Sequence, residues 1–452
     1  AESLKTIFVD VTNETTLDYS MRVRERPHAL ASAKTLPSEG NLVVASQRDF
    51  ERLQRYDRYP DILKSIAAEY GGFDDRGIWE LVPAPPDQCL HKTLLLIKVK
   101  LRPDGTESKI KCRRVIHADR MDQGVHYTDT HAPTTGLCAV RCCLSNAVSN
   151  GWCCKSVDAE QAFCNALPEF DTYLDTPPGL PHRYNADGQK LCFKLRKQTY
   201  GIPNGPRRWH MVLHNWLLRY NCNTNAREAA RHKPTFTQSA LEPCLYHLRG
   251  PNQDQHVDIC VFVDDIMATF PNTETGRRTY SDFIEAFKQD YKLQDDGYTD
   301  CTDFTGINLT WSDDRETLWI DQPKIVQNIL RKYGAWNSRA KFTPALIKQL
   351  VSDRDSPADG PDGDADRAYM KDKPYRQAVG DLLWLTRVYR YDMQHAVNSL
   401  ARTRSETLAS TNTHITIPRP HLQFSTPILQ GRPLPRRRLR RLMLGARLRH
   451  LL

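Results

Sequence analysis

The sequence predicts an α+β fold, and three observations carry that prediction. Apolar residues fall at helical spacing from Asp61 to Tyr70, where Ile62, Leu63, Ile66 and Ala67 share one face, and again from Tyr375 to Arg404, through Ala378, Leu382, Leu385 and Val388. Between these segments, Thr93 to Leu101 and Lys109 to Ile116 read as strands flanking Pro103-Asp104-Gly105, a turn sequence that makes them a hairpin. The run Val257 to Val263, β-branched and interrupted only by Asp258, suits a central strand.

In chain order, residues 1 to about 60 are polar and weakly periodic and read as linker. The helix that follows is expected to end at Gly71-Gly72. Strands are expected from Ile78 to Val82 and in the hairpin already described. A helix over 137–150 precedes a strand from Trp152 to Val157. Further helices are expected near Glu160, from Arg207 to Tyr220 and from Thr279 to Tyr291. A hairpin from Phe304 to Ile320 and a helix from Pro323 to Tyr333 complete this part. A loop rich in Asp, Pro and Gly over about 351–366 reads as a linker. From Thr411 onward regularity is lost, and no internal repeat is found.

Composition narrows the function. No stretch of about 18 apolar residues occurs, so no membrane span is expected. The N-terminal residues lack a basic segment followed by an apolar run, so no secretory signal is expected. The net charge of +9 comes from the tail: Thr407 to Leu452 holds nine Arg, no Lys and no acid, leaving residues 1–406 neutral. A neutral body argues against a broadly electrostatic nucleic-acid binder while permitting a local basic groove. The 13 cysteines include no C-x2-C pair, and the doublets Cys142-Cys143 and Cys153-Cys154 are poorly placed for one tetrahedral zinc. Reduced thiols in a cytoplasmic or nuclear compartment are expected.

The chemistry centres on Val261-Phe262-Val263-Asp264-Asp265-Ile266. Neighbouring side chains on a strand point to opposite faces, so Asp264 and Asp265 share a site only where the backbone turns sharply, as at a hairpin tip. Two acids beside an apolar strand call for a compensating cation, and Mg²⁺ prefers hard oxygen ligands. The plainer alternative is a strand that ends in solvent. A third acid, Asp158, lies in Val157-Asp158-Ala159-Glu160-Gln161-Ala162-Phe163, where a strand gives way to a helix. It reads either as a helix N-cap or as the acid that completes a metal cradle.

Here the sequence resembles the reverse transcriptases of copia-type LTR retrotransposons, over about residues 60–404 and in collinear order. Gly77-Ile78-Trp79-Glu80-Leu81-Val82-Pro83 resembles the family's opening segment, and Tyr127-Thr128-Asp129-Thr130-His131-Ala132-Pro133 its fingers stretch. The Asp158 segment resembles polymerase motif A, Tyr200-Gly201-Ile202-Pro203-Asn204-Gly205-Pro206-Arg207-Arg208-Trp209 motif B, and Phe262-Val263-Asp264-Asp265 motif C. Tyr173-Leu174-Asp175-Thr176-Pro177-Pro178-Gly179 also falls in place.

The resemblance implies a right-hand polymerase with fingers, palm and thumb. Its palm is an antiparallel sheet backed by helices, and a truncated helical connection segment follows. The implied fingers cover about 61–155, the palm about 156–320 and the thumb about 321–345, then a linker over 346–370, the connection over 371–404 and a disordered Arg/Pro-rich tail over 405–452. It implies an RNA-directed DNA polymerase with two Mg²⁺ ions, replaceable by Mn²⁺, held by Asp158, Asp264 and Asp265. Lys111 and Arg113 would grip the triphosphate, Phe163 would act as the sugar gate, Asn204 and Gly205 would approach the incoming nucleotide, and Arg207 would contact template phosphate. The implied partners are an RNA template, a DNA primer and deoxynucleoside triphosphates. A virus-like particle in the cytoplasm is the implied location. The family pattern is broken at several places. Phe262 stands for the usual Tyr and Asn204 for Gln, Ala118 and Ala166 stand for Gly, Arg114 stands for an apolar residue, and Tyr391-Asp392-Met393 replaces Arg-Pro-Asp-Ile. Residues 405–452 hold one acid, Glu406, too few for a ribonuclease H site. The alternative is therefore a non-catalytic nucleic-acid-binding remnant with the same fold.

Overall fold

The computed structural model describes residues 4–9, 21–26, 34–36, 41–101, 107–220, 235–337, 373–402 and 426–427, with single positions between 360 and 371. The chain divides into two compact units, residues 1–133 with 159–219, and residues 134–158 with 220–452.

The first unit is built on the antiparallel hairpin Thr93–Leu101 and Glu107–Ile116, with Lys98 opposite Lys111 and Leu96 opposite Arg113. Leu42–Val44 adds a third strand beside Thr93–Leu101. Strand alternation turns Leu95, Ile97, Val99, Cys112, Arg114 and Ile116 inward. The helix Tyr59–Asp75 covers that face with Ile62, Ile66, Tyr70 and Phe73, all fully buried. A second sheet runs in the order Trp79–Pro83, Leu191–Leu195, Tyr173–Leu174, Leu90–His91, and its last pair is parallel.

The second unit holds a five-stranded, wholly antiparallel sheet. Its order is Phe236–Gln238, Leu245–Arg249, His256–Phe262, Asp265–Phe270, Cys153–Asp158. On one side Cys154, Cys260 and Met267 pack with Val140, Leu144 and Val148 of the helix Leu137–Asn150. On the other side Phe270 stacks on Tyr280 of the helix Glu274–Asp290, ring centroids 4.1 Å apart. The outer edge of Cys153–Asp158 is covered: Ser156 N–H donates to the Thr299 carbonyl at 3.0 Å, and Gln294 N–H to the Asp158 carbonyl at 2.9 Å. Asp300 ties that strand down through Lys155 at 2.8 Å and is itself held by Arg315 at 2.6 Å. Among the described residues no helix is long and apolar enough to cross a membrane.

Several expectations need correction. The helix expected to stop at Gly71-Gly72 runs on to Asp75. Each glycine costs about 1 kcal/mol in a helix interior, and burying Phe73 in the next turn outweighs one of them at about 1.5–3 kcal/mol. The expected linker over 1–60 carries structure: Leu4–Val9 pairs with Met21–Arg26, and Gln47–Arg52 is a helix capped by the Ser46 hydroxyl, which accepts the Asp49 N–H at 3.2 Å. Phe50 and Leu53 anchor that segment in the core. The helix expected near Glu160 is only a 3₁₀ turn, Ala162–Asn165, preceded by Gln161 at φ 51°. The single helix expected over 375–404 is two, Tyr375–Val388 and Gln394–Arg402, parted at Arg390, whose guanidinium folds onto Asp392 at 2.7 Å. The two compact units part near 133 and again near 158. Leu137–Asn150 and Cys153–Asp158 belong to the second unit, because the strand pairs along its whole length with Asp265–Phe270. The turn Pro103-Asp104-Gly105, residues 338–345, most of the 346–370 linker and the 405–452 tail apart from Thr426–Pro427 lie outside the described residues.

Candidate active site

The two strands His256–Phe262 and Asp265–Phe270 form a hairpin closed by Val263 and Asp264, with Phe262 opposite Asp265. Of the two loop residues only Val263 has positive φ, at 58°. A hairpin joined by two residues needs such a conformation to match strand twist, but a β-branched residue adopts it only under strain. The reversal therefore falls at Val263-Asp264, and Asp265 opens the return strand. This is the sharp turn that a shared site for the two acids requires.

Asp158 closes the strand Cys153–Asp158 directly across from Asp265. Cross-strand partners have Cβ atoms about 4.5–5.5 Å apart on the same face, so these two carboxylates share a face although 107 positions separate them in the chain. The N-cap alternative for Asp158 does not hold, since Asp158 lies within a strand and Gln161 occupies the cap of the 3₁₀ turn. Desolvation beside the sheet, together with the charges of Asp264, Asp158 and Asp303, pushes the Asp265 carboxyl up to about 6. Asp303 was not anticipated. It opens the short strand Asp303–Phe304, and no local sequence signal connects it with a site 38 residues away.

These groups fit a hard divalent cation in donor chemistry, as carboxylate oxygens that crowd one another until a positive charge is supplied. Among the described residues, however, no three His, Cys, Asp or Glu side chains already stand as a ready-made metal cradle.

In the first unit, Lys111 and Arg113 lie two apart on Glu107–Ile116, on the face opposite the buried Cys112 and Arg114. Cross-strand register puts Lys98, Lys100 and Lys109 on that same face. Burial first, and then Arg113, Lys100 and Lys109, hold the Lys111 ammonium below its usual range. Phe163 is half-buried rather than a core residue, and its ring meets Tyr200 edge-on with centroids 5.3 Å apart. Gly205 opens the helix Gly205–Arg219, and a Cβ placed there would lie 3.9 Å from the Phe163 ring.

Two expected nucleotide or template residues are otherwise engaged. Asn204 is fully buried, its amide oxygen accepting from Gln198 at 2.9 Å and its amide nitrogen donating to Glu169 at 2.6 Å. Both ends of its amide are thereby engaged. Arg207 pairs with Asp129 at 3.1 Å and donates to the His131 carbonyl at 3.1 Å. Arg114, expected to harm a buried face, is buried, with its guanidinium carbon 3.8 Å from the Trp79 ring centroid and 4.0 Å from that of Phe73.

Residues 76–347 match the family described as reverse transcriptase (RNA-dependent DNA polymerase). The Retrovirus-related Pol polyprotein from transposon RE1 of Arabidopsis thaliana is 30% identical over 334 residues, 72% of this chain and 20% of its own length. The corresponding polyprotein from transposon TNT 1-94 of Nicotiana tabacum is 22% identical over 386 residues, 84% of this chain and 27% of its own length. The Transposon Ty1-DR4 Gag-Pol polyprotein of Saccharomyces cerevisiae is 23% identical over 410 residues, 84% of this chain and 22% of its own length. The chain thus spans about a fifth to a quarter of the length of these relatives. A solved telomerase from Candida albicans, with a TWJ fragment of telomeric RNA, covers 76% of this chain and 66% of its own at 9% identity and TM-score 0.26, too loose a match to bear on the fold. With the family match covering more than half of the sequence, and the Pol polyproteins aligning along most of it, this chain belongs to the copia-type reverse transcriptase family.

Proposed function

We propose that this chain extends a DNA primer on an RNA or DNA template, as the RNA-directed DNA polymerase region of a retrotransposon polyprotein acting in the cytoplasm. The cross-strand register of Asp158 with Asp265, with Asp264 in the adjoining turn, is the observation that carries the reading. In this reading the five-stranded sheet with the helices Leu137–Asn150 and Glu274–Asp290 is the palm. The Thr93–Ile116 hairpin belongs to the fingers and the helix Pro323–Lys332 to the thumb.

Asp158, Asp264 and Asp265 are the residues that would hold Mg²⁺ or Mn²⁺. Such ions supply a lowered pKa for the attacking primer hydroxyl and charge neutralisation for the departing pyrophosphate. Asp265 must give up its proton to serve, and its raised pKa makes a proton compete with the cation for that carboxylate. Lys111 and Arg113 bind and orient the triphosphate through charge, within the five-cation face of the hairpin. Phe163 excludes a ribose 2′-hydroxyl by its bulk. Gly205 lets the backbone approach the nucleotide. Arg207, paired with Asp129, reaches template phosphate only by exchanging that partner.

Primer extension on poly(rA)–oligo(dT) with Mg²⁺ or Mn²⁺ tests the reading, comparing the native chain with Asp264→Asn. Extension is expected from the first and none from the second, and extension that survives the substitution refutes the assigned role. One observation favours the second reading, a non-catalytic remnant: no ready-made cradle exists among the described residues. That reading predicts primer–template binding without extension in either metal.

A further inference from the structure

Tyr200 touches both of the groups assigned above to the nucleotide. Its ring meets the Phe163 ring edge-on, centroids 5.3 Å apart at 64°. The Arg113 guanidinium lies 5.1 Å from the centroid of the same ring. One aromatic side chain therefore contacts the proposed sugar gate and the proposed triphosphate clamp.

The backbone holds Tyr200 firmly in that place. Its carbonyl accepts the Ile116 N–H at 2.8 Å, three residues along the strand from Arg113. Gly201 follows at φ +98°, and a Cβ on it would come within 2.2 Å of the Ile116 carbonyl oxygen and 2.6 Å of the Ile116 nitrogen. Only glycine permits that approach. Phe163, by contrast, sits on the four-residue 3₁₀ turn Ala162–Asn165, after Gln161 at φ 51°. So short an element gives its ring little support of its own. The start of the helix at Gly205 bounds the ring, where an added Cβ would lie 3.9 Å away, and Tyr200 bounds it by the edge contact.

We infer that Tyr200 is a positioning residue that sets the preference for deoxyribonucleotides, by fixing the Phe163 ring and the Arg113 guanidinium against one another. The inference rests on the roles proposed for Phe163 and Arg113. Removing the ring frees Phe163 to swing toward the vacated space, which weakens the clash with a ribose 2′-hydroxyl. It also releases Arg113, which then binds the triphosphate less well. The phenolic hydroxyl has no part in this, so phenylalanine substitutes for tyrosine.

The test is single-nucleotide primer extension with deoxyribo- and ribonucleoside triphosphates, on the native chain and on Tyr200→Phe, Tyr200→Leu and Tyr200→Ala. The leucine variant keeps apolar bulk in case alanine fails to fold, and melting curves monitor all four. In Leu and Ala the deoxy-over-ribo preference is expected to fall about tenfold, with a higher KM for the deoxynucleotide and little change in kcat, from loss of one edge-to-face and one cation–π contact. Phe is expected to stay within about twofold of the native chain, because it keeps both ring contacts. Unchanged selectivity in well-folded Leu or Ala overturns the inference, as does a Phe variant that shifts as far as Leu. A loss confined to kcat, or failure of both Leu and Ala to fold, makes Tyr200 a structural residue and also overturns it. A native chain that extends no primer refutes the polymerase reading itself, and the inference falls with it. A native chain that extends with unaltered variants refutes the inference alone.

Discussion

Replacing Arg114 with methionine tests whether aromatic packing and a neighbouring acid hold a charge inside the first unit. The side chain is 1% exposed, between the Trp79 and Phe73 rings at 3.8 and 4.0 Å. Its backbone N–H donates to Glu69 Oε1 at 2.8 Å, and Glu69 is 9% exposed. Burial pushes the Glu69 carboxyl up, and the Arg114 charge opposes that push. Methionine keeps an unbranched stem, two atoms shorter, and loses the charge. Two desolvated cation–π contacts, about 2 kcal/mol each, give way to sulfur–aromatic contacts of about 0.3–1.5 kcal/mol. Glu69 loses one of the three cationic charges that oppose its burial, with Lys111 and Arg113 remaining, and leaving a buried acid short of compensation costs about 1–3 kcal/mol. These losses overlap, so the expected destabilisation at pH 8 is about 3 kcal/mol. The folded-state carboxyl is raised, so the folded chain holds a proton that the unfolded chain has released. Its penalty is present above the unfolded value and fades as pH falls toward it, near 4.5. The loss in Arg114→Met should therefore shrink at pH 5. Glu69→Gln keeps an oxygen for the Arg114 N–H, and the double variant should recover about 2 kcal/mol relative to additivity. Urea unfolding of the four proteins of this cycle, at pH 8 and pH 5, gives every term. A loss below about 1 kcal/mol, an additive cycle, or a loss that does not shrink in acid would refute the reasoning.

Other outcomes follow from the site and its supports. Asp265 carries a carboxyl pushed up to about 6, so Mg²⁺ affinity measured by titration should weaken as pH falls through that value, where a proton competes with the cation. The same raised pKa penalises the folded, metal-free chain above the ordinary carboxylate value of 3.8, so Asp265→Asn should raise the melting temperature at pH 7.5, with the gain fading toward pH 4. Gly201→Ala forces a Cβ within 2.2 Å of the Ile116 carbonyl oxygen at positive φ, and should cost about 3 kcal/mol or more in urea unfolding. Asn204→Ala strips partners from Gln198 and Glu169 and should cost about 2–3 kcal/mol in stability. A change in nucleotide KM with stability intact would return Asn204 to the ligand-facing role that its burial argues against.

Where local pattern governs, the sequence was readable. The helix Leu137–Asn150 and the strand Thr93–Leu101 appear with the bounds their periodicity predicts, because one apolar face of each is buried. Gly71-Gly72 misled because glycine is a weak stop when the next turn carries Phe73 into a core. Segment 42–55 was read as linker because its inward residues, Val44, Phe50 and Leu53, are too sparse for a period to emerge. The division between the units was hidden for another reason. Cys153–Asp158 belongs with a strand more than a hundred positions later, and no window of local sequence contains both.

The site divides along the same line. That Asp264 and Asp265 need a sharp turn followed from side-chain alternation alone, but its placement at Val263 did not, since nothing in a valine announces a left-handed backbone. Asp158 was ambiguous because a carboxylate at the end of a strand serves a helix N-cap and a cross-strand site equally well in local terms. Its strand pairing puts it across from Asp265 and leaves the cap of the next turn to Gln161, and its charge is among those that push the Asp265 carboxyl up to about 6. Asn204 is the converse case. Motif position pointed it at a ligand, while Gln198 and Glu169, at 2.9 and 2.6 Å, occupy both ends of its amide. Cross-strand register thus identifies which acids lie together, and the hydrogen bonds made by neighbours such as Glu169 determine which polar groups are already engaged.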